Sequence, residues 1–487
     1  MQNFLTNHYG ILIGIEIAYF LFVTLLAAKI ILDTQTVSKT LAYLLLIIFL
    51  PVIGILFYFL FGINYRKNRF FEFKIKLNEV IYQRIKDKLI AYHKEITSEL
   101  PDAVRQSINT INFLFNATLS AISKENQVEL LINGEEKFPK VLEVIAAAKH
   151  HIHLEYYIYE NDSIGNQLAG LLIKKAGEGV YVRLLYDDFG SRKIGKSLLK
   201  KLRNNGVQVS PVNKIRLKIF ANRMNYRDHR KIIIVDGEHV FSGGINVSDR
   251  YINPNKAIFW RDTHLYVHGN AAMYFQYLFL TNWVFATEKP IDNLQDFLHE
   301  LPGIAGNKYV QVAASGPDVR PSIMLATISA IYEAKKRVYI TTPYFIPVES
   351  VLNAIKSQAL AGIDVRLLVP KHGDSALVNA AAYSYYANLL RNNVRIFFYE
   401  KGFLHAKTIL IDDYFSSIGT ANMDVRSQEL NFEVNTHIYD KEINSKLYEV
   451  FLNDIKDSTE IKLEEWKNRP VLKVFFEHLA RLFSPLL

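Results

Sequence analysis

The stretch HRKIIIVD at residues 229–236 returns as HAKTILID at residues 405–412, and this repetition decides how the chain is divided. Two more pairs occur in the same order: GVYVRLLYD from Gly179 with GIDVRLLVP from Gly362, and LRNNGVQV from Leu202 with LRNNVRIF from Leu390. The three offsets, 176, 183 and 188 residues, are nearly constant. A period this long predicts two homologous lobes and excludes a solenoid, whose repeats are about 20 to 50 residues long.

Short runs of β-branched and aromatic residues alternate with helical stretches around these matches. HIHLEYYIY at 151–159 is typical of a strand, and FPKVLEVIAAAKH at 138–150 is typical of a helix. This alternation is the pattern of an α/β protein. We therefore predict an α/β fold with a first lobe at 129–302 and a second at 303–460, joined at PGIAG, residues 302–306.

Both copies of the deciding stretch read H-x-K-x-x-x-x-D, which is the candidate catalytic set. Along a strand, residues two apart point to the same face, so each His lies beside the Lys that follows it. The Asp, seven residues after the His, would be about 23 Å from it along a straight strand. It cannot simply pair with its own His, and we expect it to fix the following turn. The candidates are His229, Lys231, Asp236, His405, Lys407 and Asp412.

Polar residues that follow each copy extend the candidate site. Asn246 and Asn422 each lie 17 residues after the motif histidine, next to glycines that allow close approach of a ligand. Neutral amide donors suit phosphate oxygens. A further carboxylate is needed to hold each imidazole in one tautomer, and Asp262 and Glu433 are the candidates.

The composition of the chain limits which kinds of catalytic site and which partners are expected. The chain has no cysteine, which excludes disulfides, thiolate metal sites and a cysteine nucleophile. Lysines beside both motif histidines would repel a divalent cation, so we predict no metal and no cofactor, with metal ligation as the disfavoured alternative. The formal net charge of +9 favours an anionic partner, either nucleic acid, phospholipid headgroups or another phosphate ester.

The first 64 residues read as a membrane anchor. Residues 11–28 are apolar except for Glu16, and residues 41–63 carry no charge. At 1.5 Å per residue, each run can cross a hydrocarbon layer of about 30 Å. We predict spans at about 10–32 and 41–63, with a buried core helix as the alternative for the first. The predicted hairpin places the N-terminus on the same side as the lobes.

A basic stretch follows the anchor and predicts its orientation. Residues 65–128 are predicted to be a basic juxtamembrane and helical connector that begins with Arg66, Lys67, Arg69, Lys74 and Lys76. The excess of basic residues places the lobes in the cytoplasm. It also predicts contact with anionic headgroups.

The last segment, 461–487, is predicted to be an amphipathic tail. Pro470 opens it, and Leu472, Phe475, Phe476, Leu479, Leu482, Phe483 and Leu486 recur at helical spacing. Two interpretations remain open. The apolar face packs on the second lobe, or it lies at a membrane surface.

The duplicated motif with its downstream G-G-x-N and G-T-A-N resembles the phospholipase D superfamily. The double-span leader and the stretches LEYYIYENDSIGN, RDHRKIIIVDG, GGINVSDRY, FWRDTH and TPYFIP are similar to those of bacterial cardiolipin synthases. This resemblance covers nearly the whole chain. It implies two lobes related by a pseudo-twofold axis, with one active site at their interface.

The resemblance also implies an activity and a location. A membrane-bound enzyme would transfer a phosphatidyl group from one phosphatidylglycerol to another with release of glycerol, through a phosphohistidine. It implies His229 as nucleophile and His405 as acid and base, although the symmetry of the motifs leaves the order open. It further implies a bacterial plasma membrane protein with a phospholipid partner.

Two alternative functions remain. A hydrolytic phospholipase D, or a transferase with another alcohol acceptor, would use the same site because one base can deprotonate either water or an alcohol. A phosphodiesterase that acts on nucleic acid fits the net charge, but a membrane anchor disfavours it. The sequence therefore predicts no nucleic-acid partner and leaves the oligomeric state undetermined.

Overall fold

The computed structural model describes residues 2–34, 37–59, 86–212, 226–254, 258–291, 294–297 and 306–484. The N-terminal helices form one compact unit, and the connector, lobes and C-terminal tail form another. The predicted junction at 302–306, apart from Gly306, and the basic residues 66–76 lie outside the described residues.

The helices alternate with strands from residue 133 onward, as predicted for an α/β protein. The helices are α1 (Gln2–Asp33), α2 (Val37–Phe49), α3 (Pro51–Phe57), α4 (86–98), α5 (Asp102–Arg105), α6 (Ile108–Thr118), α7 (Asn133–Ala147), α8 (Ser163–Gly177), α9 (Gly195–Asn204), α10 (Ala272–Thr287), α11 (Ser322–Glu333), α12 (Glu349–Leu360), α13 (Ala376–Arg391), α14 (Val425–Glu429), α15 (Lys441–Lys456), α16 (Leu463–Lys467) and α17 (Val471–Arg481).

The strands are short and mostly buried. They are β1 (Ser123–Ile132), β2 (His151–Tyr156), β3 (Tyr181–Asp187), β4 (Gln208–Val212), β5 (Lys231–Val235), β6 (His239–Gly243), β7 (Phe259–Arg261), β8 (Thr263–Gly269), β9 (Lys308–Ser315), β10 (Arg337–Thr341), β11 (Phe345–Ile346), β12 (Asp364–Pro370), β13 (Arg395–Tyr399), β14 (Gly402–Leu404), β15 (Thr408–Ile411), β16 (Phe415–Gly419), β17 (Met423–Asp424), β18 (Glu433–Tyr439) and β19 (Ser458–Glu460).

One sheet runs through both lobes, and its order carries the repeat. Outward from the central antiparallel β1–β9 pair, one half runs β1-β8-β6-β5-β2-β3-β4 and the other runs β9-β18-β16-β15-β10-β12-β13-β19. Within this sheet, each strand of the first half has its counterpart at the same place in the second half. The predicted pair of homologous α/β lobes is therefore confirmed, and the first lobe's sheet begins at β1.

Three large apolar cores and one small cluster pack on the described part of this sheet. One lies within the first lobe and includes Leu154 and Leu168. Another is centred on the second lobe, with Ile340 and Ile355, and also contains residues of the connector and the C-terminal tail, such as Ile111 and Trp466. The third contains residues of both lobes, among them Phe279 of α10 and Phe451 of α15. Because the lobes share this core, residues on opposite sides of their boundary are held in fixed positions.

The motif aspartates fix turns, as expected. Asp236 follows β5 with a left-handed φ of 54°, and its carboxylate accepts hydrogen bonds from the backbone N–H groups of Lys149, His150 and His151 at 2.8 to 2.9 Å. Asp412 repeats this arrangement after β15 with a φ of 49°. Both carboxylates thus cap the start of a neighbouring strand.

The N-terminal unit differs from the predicted pair of spanning helices. Among the described residues, one helix is long and apolar enough to cross a bilayer, Ile11–Asp33, with a mean hydropathy of 2.4. The predicted second span does not form one continuous helix. It is divided into α2 and α3 at Leu50, whose φ of −134° is not helical. Pro51 explains the break, because proline disfavours helical backbone in the residue before it.

Candidate active site

Each motif histidine is positioned by backbone pairing with the opposite lobe. β14, which precedes His405, pairs in parallel with β7, which precedes Asp262, and the His405 N–H donates to the Arg261 carbonyl at 2.7 Å. The other half repeats the arrangement, because the His229 N–H donates to the Phe432 carbonyl at 2.9 Å. Each histidine is therefore fixed beside a carboxylate of the other lobe.

The two histidine–carboxylate pairs are crossed between the lobes. His229 Nδ1 lies 3.0 Å from Glu433 Oε2, and His405 Nδ1 lies 2.6 Å from Asp262 Oδ2. Both carboxylates are fully buried. In a neutral imidazole, Nδ1–H donates to such a carboxylate and the lone pair stays on Nε2. The geometry thus brings Asp262 and Glu433 to the histidines and leaves Nε2 for chemistry.

The motif lysines are buried between these pairs. Lys231 Nζ donates to the His229 carbonyl at 2.6 Å, and Lys407 Nζ donates to the His405 carbonyl. Burial lowers the pKa of Lys231 to about 7 and that of Lys407 to about 8, although Glu433 and Asp262 oppose the shift. Each lysine also repels a proton on the histidine of the other lobe. The two ammonium groups therefore share one site with both histidines.

Burial and nearby charge favour the neutral form of the two histidines and the ionised form of the two carboxyl groups. Burial lowers the pKa of His405 to about 3, and it also lowers the pKa of His229. Burial opposes ionisation of Asp262 and Glu433, but the nearby histidine and lysine hold the pKa of each carboxyl below its ordinary value. The free enzyme at neutral pH therefore holds two neutral imidazoles on two carboxylates.

The single departure between the G-G-x-N and G-T-A-N segments has a steric explanation. A Cβ on Gly244 would lie 2.0 Å from Asp262 Oδ1, so only glycine leaves space for that carboxylate. At the equivalent place in the second lobe, the Thr420 hydroxyl donates to Glu433 Oε2 at 2.5 Å. The Asp262 carboxylate therefore packs against the backbone of Gly244, and the Glu433 carboxylate accepts a hydrogen bond from Thr420.

Four of the candidates form their hydrogen bonds with groups other than the histidine side chains. Asp236 and Asp412 lie at the other end of β5 and β15, so the geometry gives them a structural place and not one in the catalytic set. The Asn246 amide is occupied within the first lobe, by the Ile158 N–H at 3.1 Å and the Tyr251 hydroxyl at 2.6 Å. Asn422 Nδ2 donates to Asp424 Oδ2 at 3.0 Å.

Aromatic rings that the sequence analysis did not select line the histidines. The Tyr157 ring lies 4.8 Å from the His229 ring. Tyr251, Trp260 and Phe403 lie 5.7 to 5.9 Å from the His405 ring. Trp260 stands two residues before Asp262 in the FWRDTH stretch. Its closeness to a candidate site residue is the feature of the sequence that could have identified it as part of the site. Burial by these rings is a physical cause of the lowered histidine pKa values.

Comparison with known proteins gives a family match in both lobes. A family described as "Cardiolipin synthase, PLD-like domain" matches residues 141–279 and 327–455, one segment in each lobe. A second family, "Phospholipase_D-nuclease N-terminal", matches residues 17–62. The matched segments of the first family together cover more than half of the chain.

Relatives cover the chain almost completely. A cardiolipin synthase of Geobacillus sp. (strain WCH70) is 39% identical over 99% of this chain and 96% of the relative. Cardiolipin synthase 2 of Bacillus anthracis is 39% identical over 95% of this chain and 90% of the relative. The crystal structure of phosphatidylserine synthase from Haemophilus influenzae Rd KW20 shares the fold, with a TM-score of 0.57 at 15% identity over 78% of this chain and 100% of that one. The chain therefore belongs to the cardiolipin synthase family of phospholipase D-like enzymes.

Proposed function

We propose that the chain transfers a phosphatidyl group from one phosphatidylglycerol to another, which yields cardiolipin and glycerol. The observation that carries this proposal is the pair of crossed histidine–carboxylate contacts, with two buried lysines between them. Two histidines with free Nε2 atoms supply a nucleophile and an acid in one site. Family membership and an apolar helix long enough for a membrane support a lipid substrate.

In the first half reaction, His229 Nε2 attacks phosphorus and the bond from phosphorus to the glycerol oxygen breaks. His405 donates its proton to that oxygen, so glycerol leaves and a phosphatidyl-histidine remains. The assignment of His229 as nucleophile rests on the family resemblance. Glu433 holds the His229 imidazole in the orientation for attack and stabilises the cation that forms, as the aspartate of a catalytic triad does.

In the second half reaction, the hydroxyl of a second phosphatidylglycerol gives its proton to His405. Its oxygen attacks phosphorus, the bond to His229 breaks, and both histidines return to their starting state. The low pKa of His405 in the free enzyme suits a base. A bound phosphodiester anion raises that pKa, because nearby negative charge favours the protonated form, so substrate binding prepares the acid.

The lysines compensate the charge that spreads over the phosphoryl oxygens. Lys231 and Lys407 are fully buried within the site, where an ammonium group acts more strongly than in water. Positioning and electrostatic stabilisation account for most of the catalysis of phosphoryl transfer. We therefore assign both lysines to the phosphate-binding part of the site.

We further propose that the lobes face the cytoplasm of a bacterial cell. The basic sequence 66–76 supports this orientation, because cytoplasmic flanks of membrane segments are enriched in Lys and Arg. The same side supplies phosphatidylglycerol from the inner leaflet.

The function is tested by giving purified full-length protein labelled phosphatidylglycerol as the sole lipid in detergent micelles. Cardiolipin and glycerol in equal amounts are the expected products. Phosphatidic acid as the main product would show a hydrolase, and turnover only after addition of another alcohol would show a different acceptor. A separate incubation with single-stranded and double-stranded DNA tests the nuclease alternative, which predicts cleavage.

We expect kcat/KM to fall as pH rises through the range in which Lys231 and Lys407 lose their protons, with pKa values of about 7 and about 8. Below that range both ammonium groups attract the phosphodiester, and above it they are neutral. The fall of kcat should occur at a higher pH than the fall of kcat/KM, because the phosphate of bound substrate stabilises the ammonium form of the lysines. Initial rates in micelles at low and saturating phosphatidylglycerol measure both limbs, and a kcat/KM that rises across this range would contradict the assignment.

A further inference from the structure

The C-terminal helix α17 is oriented with its polar side toward the protein. Glu477 and Ala480 are buried against the second lobe, at 2% and 5% exposure, and Arg469 Nη1 donates to Glu477 Oε1 at 2.7 Å. The large apolar side chains point away from it: Val471, Leu472, Phe475, Phe476, Leu479, Leu482 and Phe483 are all 41% exposed or more. Surface helices of globular proteins do the opposite and bury their apolar stripe.

This orientation separates the two interpretations left open by the sequence. The helix does pack on the second lobe, through α13, but with the face that holds Glu477. A buried acid held by an arginine is a weak way to stabilise a helix compared with burial of phenylalanines. The exposed face is therefore available for a partner outside the lobe.

We propose that the exposed face of α17 docks into the anionic surface of a lipid bilayer. Lys473 and Arg481 are exposed on the same helix, and cations beside an apolar face are typical of helices that lie among anionic headgroups. A second protein copy is a poorer fit. An 11-residue helix offers a face about 17 Å long and 10 Å wide, far less than the roughly 800 Å² per partner of a stable interface.

Helix α13, on which α17 packs, begins near the candidate active site. The segment before α13 includes Asp374, whose carboxylate accepts from the Tyr344 hydroxyl at 2.8 Å. Its charge acts on Lys407, where it is one of the carboxylates that partly oppose the lowering of the pKa by burial. A bilayer contact at α17 would thus hold the second lobe at a lipid surface. This extends the proposed function by naming the surface from which substrate enters.

The chain has no cysteine, so single cysteines can carry an environment-sensitive fluorophore. We compare Phe476→Cys on α17 with Leu360→Cys at the end of α12, which is similarly exposed at 60%. In vesicles of phosphatidylethanolamine and phosphatidylglycerol, the probe at 476 should shift to the blue and be quenched by headgroup-level lipid quenchers, and the probe at 360 should not. Equal behaviour of the two probes would overturn the proposal. A blue shift in micelles that depends on protein concentration would overturn it in favour of a second copy.

Activity gives a second measurement on full-length enzyme. The double substitution Phe475→Glu with Phe476→Glu should reduce turnover in vesicles about tenfold more than turnover in micelles, because the helix would lose its bilayer contact. The melting temperature should stay nearly unchanged, since both rings are exposed. Equal losses in both assays with a large drop in melting temperature would show a structural element. Because the fluorescence readout needs no catalysis, failure of the proposed function remains distinguishable.

The N-terminal unit carries a second, independent observation, which is a reversal of the chain at Leu50. A Cβ on Gly54 would lie 2.5 Å from the Leu46 carbonyl carbon, so residues eight apart are in backbone contact. The rings of Tyr43 and Tyr58 lie 5.5 Å apart. In one continuous helix, residues eight apart would be separated by about 12 Å. The α2 and α3 helices therefore run back along each other.

The reversal returns the chain to the end of α1. The Tyr58 side chain packs with Leu26 and Ile30 of α1, and its hydroxyl donates to Asp33 Oδ2 at 3.4 Å. Before the reversal, α2 has 13 residues and is about 20 Å long, which is less than the roughly 30 Å of a hydrocarbon core. The exposed residues at the tip, such as Phe49 and Val52, are apolar.

We infer that residues 37–57 enter the bilayer and leave it on the face from which they came. Among the described residues, α1 alone then crosses, and its two ends lie on opposite faces of the bilayer, contrary to the two-span expectation. Buried helical backbone within the membrane satisfies its own hydrogen bonds, so such a hairpin is physically acceptable. The following sequence, 65–85, carries charges every few residues and offers no second crossing.

Single cysteines distinguish the two topologies. A membrane-impermeant thiol reagent is added to intact spheroplasts and to inverted vesicles that contain Val37→Cys, Ser357→Cys in α12, or a cysteine inserted after Met1. The inference predicts that positions 37 and 357 react from the same side and the N-terminal cysteine from the other. Two spanning helices predict that position 37 reacts from the side opposite 357. That second pattern would overturn the inference.

Discussion

Replacing His229 by alanine is expected to lower kcat for cardiolipin formation by at least about 10⁴-fold, and His405→Ala is expected to do the same. Each imidazole acts in both half reactions, and no neighbouring side chain can replace an Nε2 atom that is held by a carboxylate of the opposite lobe. Labelled phosphatidylglycerol in micelles measures the rate. The melting temperature reports whether either variant has lost its fold.

His268→Ala is the matched control, because His268 lies near the end of β8 that is farther from Asp262, in register with His239 of β6. It should retain nearly full activity. Near wild-type turnover in His405→Ala, with an inactive His229→Ala, would contradict the mechanism with two histidines. A phosphohistidine trapped by rapid quench should map to residue 229. If it maps to residue 405, the roles are reversed while the fold and the crossed contacts stand.

The repeat made the fold predictable, and the local pattern made part of the site predictable. The offsets between copies required two lobes, and the strand spacing placed Lys231 beside His229 and Asp236 out of reach. Those inferences needed only the geometry of one strand. The G-G and G-T difference was visible in the sequence, but its reason was not, because it depends on the Asp262 carboxylate that packs against Gly244.

The crossed pairing could not be predicted, because it depends on how two lobes meet. His229 and Glu433 are 204 residues apart, and the contact arises from a backbone bridge between Asp228 and Phe432. Likewise, the uncharged run at 41–63 gave no sign that the helix is interrupted at Leu50. Average hydropathy does not register the break before Pro51 or the close contact that Gly54 allows, and both are backbone effects.

Glu433→Gln and Asp262→Asn are each expected to lower kcat by about 10² to 10⁴-fold while the fold survives. The amide keeps the size of the carboxylate but can present its NH₂ group to Nδ1, which favours the wrong tautomer and removes the charge that stabilises the imidazolium. Rates in micelles and melting temperatures measure the two effects. Glu349→Gln, an exposed carboxylate at the start of α12, is the matched control and should leave kcat unchanged.

The crossed arrangement makes a prediction that a simple structural role does not. In protein with ¹⁵N-labelled histidine, Glu433→Gln should change the tautomer and pKa of His229 in the first lobe, and Asp262→Asn should change those of His405 in the second. Because each carboxylate contacts one imidazole, the other histidine should be affected much less. If Glu433→Gln alters His405 and spares His229, the carboxylates act within their own lobes and the crossed contacts are wrong. Equal changes at both histidines would instead show that the substitution disturbs the interface as a whole, and the loss of kcat could not then be assigned to the orientation of one imidazole.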